Sequence, residues 1–322
     1  MPFIVLLFRE IISMSPKNLR LKRFGLIPAT LTPMDKNFRV DYEQIEGYVR
    51  WLMRFDISGL AVNVDASEGP HLYPEERAKI LEVYASIVRG RIPIIAGLHA
   101  RNTEEAVRLG LEAKEAGADA LLVFPHPAFI GEPSEEVIYN YHLEISEKVG
   151  LPIILFQMQP ALGGVEFTRE TLFRLVRIEN VVAIKESSFD AKKFVNVVRI
   201  LNSAPRKIII LTGNDNFIYE SLILGAEGGL LGFGTIATDK QVEMFRLVSQ
   251  GKLKEAGEIW YEILPIEEVI FSPPLRNYRA RLKEALVMMG ILKTPYVRPP
   301  LQPISDEERK LIRRTLRDLG ML

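Results

Sequence analysis

No cysteine occurs among the 322 residues. Its absence excludes disulfides, thiolate metal sites and a cysteine nucleophile, and suits either a reducing cytoplasm or a thermophilic chain that avoids labile side chains. Histidine is scarce, and His71, His99, His126 and His142 are scattered without H-x-x-x-H spacing, so no metal is expected. Neither sign of charge is in excess: 41 Lys and Arg balance 41 Asp and Glu, leaving no overall field to draw the chain to nucleic acid or an anionic membrane. A small-molecule partner is favoured. Long apolar runs are also missing. The run Phe3 to Phe8 is cut by Arg9 and Glu10 after six residues, too short to span a bilayer and with no basic segment before it. The expectation is a soluble, cytoplasmic protein.

What is present is regular alternation. The chain is 48% hydrophobic, and from Phe24 onward short apolar runs alternate with longer amphipathic segments, the mark of repeated strand and helix units. Strands are predicted at Phe24 to Leu31, Gly59 to Val64, Pro93 to Leu98, Ala120 to Phe124, Pro152 to Met158, Val181 to Lys185, Lys207 to Thr212 and Gly229 to Phe233. Each is followed by a helix with recognisable punctuation. Asp41 caps the first, with Gln44 three residues on and Ile45, Tyr48, Val49 and Leu52 on one face. Pro74 opens the second, Asn102 or Thr103 the third, and Ser134, Thr168, Asp190 and Asp239 cap later ones. The seventh, Asn216 to Leu224, rests only on Gly213 and Gly225.

Eight such units over about 225 residues predict an α/β chain closed into a (β/α)8 TIM barrel. A doubly wound open sheet rarely needs eight nearly equal units, and the glycine-rich turns here lack G-x-G-x-x-G order. Residues 1–23 are read as an N-terminal appendage and residues 24–250 as the barrel. Residues 251–322 form a C-terminal helical extension packed on it, with helices at Leu253 to Ile270, Leu275 to Met289 and Asp306 to Leu319.

In such barrels chemistry gathers where strands end. Val181 to Ile184 read as a strand covered on both faces, with Lys185 at its carboxyl end. An ammonium held over apolar walls loses hydration, so its pKa falls and the neutral amine becomes a nucleophile toward carbonyl carbon. The bland alternative is a solvated lysine where a strand exits. Glu186 should point away from Lys185, because strand side chains alternate, and Ser187 should face the site.

Five motifs in order carry a resemblance. They are Gly25-x-x-x-Ala29-x-x-Thr32-Pro33, Leu72-x-Pro74-Glu75-Glu76-Arg77, Ile184-Lys185-Glu186-Ser187-Ser188, Gly225-Ala226-x-Gly228 and Val297-Arg298-Pro299-Pro300-Leu301. With them the chain resembles the dihydrodipicolinate synthase and N-acetylneuraminate lyase family, barrel enzymes that bind pyruvate-type 2-keto acids through a lysine Schiff base. The resemblance implies that Lys185 is the Schiff-base lysine, that no cofactor is needed, and that the protein is a homo-oligomer, a tetramer or dimer.

Departures from the family pattern narrow the choice of substrate and reaction. Where the family carries a glycine, two threonines, a glycine and a glutamate, this chain has Val64-Asp65-Ala66-Ser67-Glu68. Backbone N–H groups of Ala66 and Ser67, and the Ser67 hydroxyl, can still grip a substrate carboxylate, while Asp65 is either a proton carrier or a turn residue. Phe156-Gln157 replaces a tyrosine that shuttles protons and the asparagine after it. His126 is a candidate for the missing acid, and Gln157 for orienting a substrate oxygen. Ala161 stands where the synthases use an arginine for a second carboxylate. Gly213, Asp215 and Gly232 align with positions that sugar-acid lyases use for hydroxyl groups.

The expected function is therefore a Schiff-base lyase acting on a 2-keto acid, by reversible aldol cleavage of a 2-keto-3-deoxy sugar acid to pyruvate and an aldehyde. The alternatives are a dehydratase of such an acid, a condensation like that of dihydrodipicolinate synthase, and a keto-acid binding protein without turnover.

Overall fold

The computed structural model describes residues 19, 21–131 and 133–322. The appendage expected at residues 1–23 falls almost wholly outside them. Eight parallel strands occur in chain order: β1 (Gly25–Pro28), β2 (Leu60–Val62), β3 (Ile94–Leu98), β4 (Ala120–Val123), β5 (Ile153–Met158), β6 (Val181–Ser187), β7 (Ile209–Thr212) and β8 (Gly228–Leu231). Their neighbour order, β1-β8-β7-β6-β5-β4-β3-β2, is that of a TIM barrel. The ring is nearly closed. Between β1 and β2 the contact shrinks to one parallel bridge, Ala29 opposite Ala61. It is flanked by the amides of Ser58 and Thr30, which donate to Leu26 O (2.7 Å) and Ala61 O (2.9 Å).

The strands are apolar and almost entirely buried because side chains of one face fill the barrel while those of the other meet a ring of helices. That ring is α1 (Tyr42–Leu52), α2 (Pro74–Val88), α3 (Thr103–Glu115), α4 (Glu135–Val149), α5 (Arg169–Leu175), α6 (Ala191–Asn202), α7 (Ile218–Ile223) and α8 (Thr238–Ser249). Asp41, Asn102, Thr168 and Asp190 each accept a first-turn N–H, satisfying donors that the helix leaves without partners. Two expected caps differ. Ser134 stands at the N-cap of α4 without a side-chain bond, and Asp239 lies inside the first turn of α8, whose N-cap is Ala237 in the left-handed region (φ 50°). The seventh helix is shorter than expected because Asp215–Phe217 forms a 3-10 turn before it.

Three further helices, α9 (Leu253–Ile270), α10 (Tyr278–Met288) and α11 (Asp306–Asp318), complete the chain. The first packs on α8, and the last on α9 and α10. Charged side chains of α10 point into the protein rather than away from it. Lys283 and Glu68, both fully buried, form an ion pair at 2.5 Å, and the same ammonium donates to Tyr296 O at 2.6 Å. Buried Arg281 donates to Ser272 O at 2.5 Å and pairs with Glu308 at 2.8 Å. These bonds lock α10 across the strand ends, at the face where a barrel of this kind does its chemistry. No described helix is long and apolar enough to cross a membrane.

Candidate active site

Lys185 lies two residues before the end of β6, opposite Phe156 of β5. Its side chain is 7% exposed, and Nζ stands 4.6 Å from the centre of the Phe156 ring. That ring is held edge-on to Phe124 at 5.1 Å. Burial lowers the lysine pKa, against the opposing pull of Asp215 and Asp65. Among the described residues its ammonium forms no salt bridge. Beside it opens a cleft, continuous with solvent, walled by Ala66, Phe156, Ser187, Gly213, Asp215 and Gly232 as well as Asp65.

Gly213 explains how the lysine reaches this space. A Cβ there would stand 2.0 Å from Ser187 Oγ and 2.4 Å from Lys185 Cε, so only glycine lets both side chains pass. Ser187, on the same side of β6 as Lys185, buries a hydroxyl without a partner among the described residues. Glu186 faces the other way, as strand alternation requires. Among the described residues it forms no ion pair; its carboxylate accepts from Asn214 Nδ2 (2.7 Å), Ser188 N (3.1 Å) and Gln157 Nε2 (3.3 Å). Burial raises its pKa against those donors.

Three expected site residues are placed elsewhere. Gln157 is one residue out of phase with Phe156, so it points outward, where Oε1 accepts from Phe167 N (3.0 Å). The Ser67 hydroxyl donates to Thr30 O (2.5 Å) and accepts from Val64 N (3.2 Å), leaving only the backbone of that residue for a ligand. His126 does not line the cavity. Its Nε2 lies 2.9 Å from Arg101 O, which can only accept, and Nδ1 accepts from Ala128 N at 3.0 Å, so both nitrogens are committed to holding a loop. A proton-carrying role for His126 does not fit this geometry.

Asp65 does line the cavity, but not as a free acid. Oδ1 meets Arg279 Nη2 at 2.5 Å, and Oδ2 accepts from the Tyr278 hydroxyl at 2.8 Å. Burial would raise its pKa, yet the Arg279 charge and these hydrogen bonds outweigh it and hold the group below its ordinary value. Asp215 is the opposite case. Burial pushes its pKa up to about 7, although the Phe233 amide and Lys185 pull it down. Its Oδ1 accepts from Phe233 N at 2.8 Å. The pKa values of two carboxyl groups on one cavity are thus pushed in opposite directions by their surroundings.

On the side after β2, Ala66 lines the cavity, and the amides of Ala66 and Ser67 have no acceptor among the described residues. The remaining wall comes from the C-terminal helices: Phe271, Leu275 and Tyr278, with the Phe271 and Tyr278 rings stacked at 5.1 Å. Sequence reading missed this contribution. Its trace is the run Arg279, Arg281, Lys283 in a helix that had to pack, since buried cations demand partners.

Comparison with known proteins agrees with the fold. Residues 22–319 match the model of the dihydrodipicolinate synthetase family. The 4-hydroxy-tetrahydrodipicolinate synthase of Methanocaldococcus jannaschii is 30% identical over 299 residues, covering 92% of this chain and 99% of that one. Among solved structures, dihydrodipicolinate synthase from Thermotoga maritima superposes with a TM-score of 0.85 at 28% identity, covering 94% of this chain and 100% of its own. The Acinetobacter baumannii enzyme, solved with pyruvate, gives 0.82 at 29%, covering 92% and 99%. The chain belongs to the dihydrodipicolinate synthetase family. Members are lyases of the class I aldolase type that work on pyruvate through a Schiff base. In this chain the Phe156 ring lies under Lys185, and the Asp65, Arg279 and Tyr278 cluster stands across the cavity.

Proposed function

We propose that the protein is a Schiff-base lyase that reversibly cleaves a 2-keto-3-deoxy sugar acid to pyruvate and an aldehyde. One observation carries this reading: Lys185 is buried, free of any ion pair among the described residues, and opens directly on a cavity. The neutral amine adds to the keto carbon, water leaves, and the resulting iminium withdraws the electrons of the bond that breaks. The free amides of Ala66 and Ser67 hold the keto-acid carboxylate. Ser187, Asp215 and the Tyr278 hydroxyl supply one polar side for the oxygens of the sugar chain, and the Phe156 and Phe271 side is apolar.

A second carboxylate on the aldehyde fits less well. Among the described lining residues Lys185 is the one cation, and the iminium uses it; the nearby Arg279 guanidinium is tied to Asp65. This favours a sugar acid over the condensation performed by the synthases.

The test is reduction with borohydride in the presence of pyruvate, followed by peptide mass analysis. A covalent adduct on Lys185 that vanishes in Lys185→Ala is expected, and 2-keto-3-deoxy sugar acids should then yield pyruvate and an aldehyde. No adduct in the wild-type protein overturns the proposal; an adduct with no pyruvate released from any such acid overturns its lyase part.

A further inference from the structure

We infer that Asp215 carries the proton in this site, taking over the task that the Phe156 ring, which has no hydroxyl, does not perform. The inference rests on the Schiff-base reading above and goes further by naming the acid and base.

Elimination and geometry lead to the same residue. Of the polar groups on the cavity wall, Asp65 has both oxygens engaged, by Arg279 and Tyr278, and the Tyr278 hydroxyl commits its proton to Asp65, keeping only acceptor capacity for a ligand. A serine hydroxyl such as that of Ser187 is too weak an acid to take up and return a proton near neutrality. Asp215 is different. Its Oδ1 accepts from the Phe233 amide at 2.8 Å, the amides of Gly232 and of Asp215 itself also favour its carboxylate, and among the described residues no side chain bonds Oδ2, which belongs to the cavity wall. Gly232 borders that oxygen: a Cβ there would be in ordinary contact with Oδ2 at 3.7 Å and tight against the Tyr278 ring at 3.3 Å. The groups facing Asp215 are Lys185 from β6, Glu267 from α9, and Asp65 and Tyr278 across the cavity. In this company burial raises its pKa to about 7, which makes both protonation states accessible near neutrality.

The step balances without a co-reactant. In the pyruvate iminium, the Asp215 carboxylate takes a proton from C3. The C–H pair becomes the C2=C3 bond, and the C=N π pair moves to nitrogen, giving a neutral enamine and a protonated Asp215. In the cleavage direction the carboxylate takes the C4 hydroxyl proton, the C3–C4 pair becomes the C2=C3 bond, the aldehyde leaves, and Asp215 returns the proton to C3.

Exchange of pyruvate methyl hydrogens in D2O, followed by proton NMR, reads this transfer without an aldehyde. The wild-type protein should exchange them. Asp215→Asn should lower the rate about a hundredfold or more while borohydride still traps pyruvate on Lys185, and Asp215→Glu should restore part of the rate. Exchange in Asp215→Asn within a few-fold of wild type overturns the inference. So does loss of trapping in a variant that unfolds like wild type, since Asp215 would then act in iminium formation. Should the Asn variant not fold, the wild-type exchange rate at saturating pyruvate decides: a fall on acidification with trapping retained supports the assignment, and independence of pH overturns it. A wild-type protein that traps no pyruvate fails the Schiff-base reading instead, a separate result.

Discussion

At the scale of the residue, the site turns on which side chains are omitted as much as on which are present. Gly213 makes room for the lysine stem, and the Gly213→Ala substitution puts a methyl group 2.0 Å from Ser187 Oγ and 2.4 Å from Lys185 Cε. Lys185 must then swing out of its slot or β6 must yield, and forced overpacking of this kind costs about 1–3 kcal/mol. The expected outcome is at least about a tenfold loss of pyruvate trapping with the fold retained, checked by borohydride trapping beside thermal unfolding; undiminished trapping would show that the slot is not restrictive. Much at this scale was legible in the sequence. Lys185, Ser187, Gly213, Asp215 and Gly232 follow from knowing where strands end, and alternation turned Glu186 away as expected. Gln157 was misread because the same alternation, applied to Phe156, puts it outside the barrel. For Ser67 and His126, residue type suggested chemistry, but bonds to Thr30 O and Arg101 O, invisible in the sequence, commit them to the scaffold.

At the scale of the element, the strands and helices were readable because each unit carries its own apolar period and punctuation. The exceptions are instructive. β6 runs on to Ser187, past the lysine expected to end it, because Lys185 and Glu186 still pair with Leu211 and Thr212 of β7. Helix α9 hides another feature. Glu267 is buried with Oε1 lacking a partner among the described residues, and burial, joined by repulsion from Asp215, Glu268 and Glu220, pushes its pKa up to about 8. Below about pH 4 the carboxyl is protonated in both folded and unfolded chains and costs nothing. As pH rises from there toward 8 the unfolded chain releases the proton and the folded protein does not, so stability falls by about 1.4 kcal/mol per pH unit from this group alone. Glu267→Gln should therefore gain roughly 2 kcal/mol or more over wild type near pH 7 and nothing near pH 4. Urea unfolding at the two pH values measures the difference, and an equal effect at both would show that charge is not the cause.

At the scale of the whole molecule, barrel and C-terminal helices form one functional unit. Phe271, Leu275 and Tyr278 wall the cavity, Arg279 holds Asp65, and Lys283 neutralises buried Glu68. A chain ending after Gly251 would strip one wall from the site and remove both Lys283 and the Arg298 amide that partner Glu68. Such a truncation should trap no pyruvate and should not give a cooperative unfolding transition; a folded, trapping fragment would refute the dependence. The sequence announced three extra helices but not that they finish the cavity, because contacts between positions more than two hundred residues apart leave no local period.

The narrow join between β1 and β2 has a further consequence. There the work of a strand ladder passes to hydroxyl groups: Thr30 Oγ1 donates to Ala61 O (3.0 Å), Ser67 to Thr30 O (2.5 Å) and Thr32 to Ser67 O (2.8 Å). The turn that presents Ala66 to a ligand hangs from these three stitches. On the function proposed here that turn anchors the keto-acid carboxylate, so a bound ligand is expected to brace the barrel at its thinnest seam.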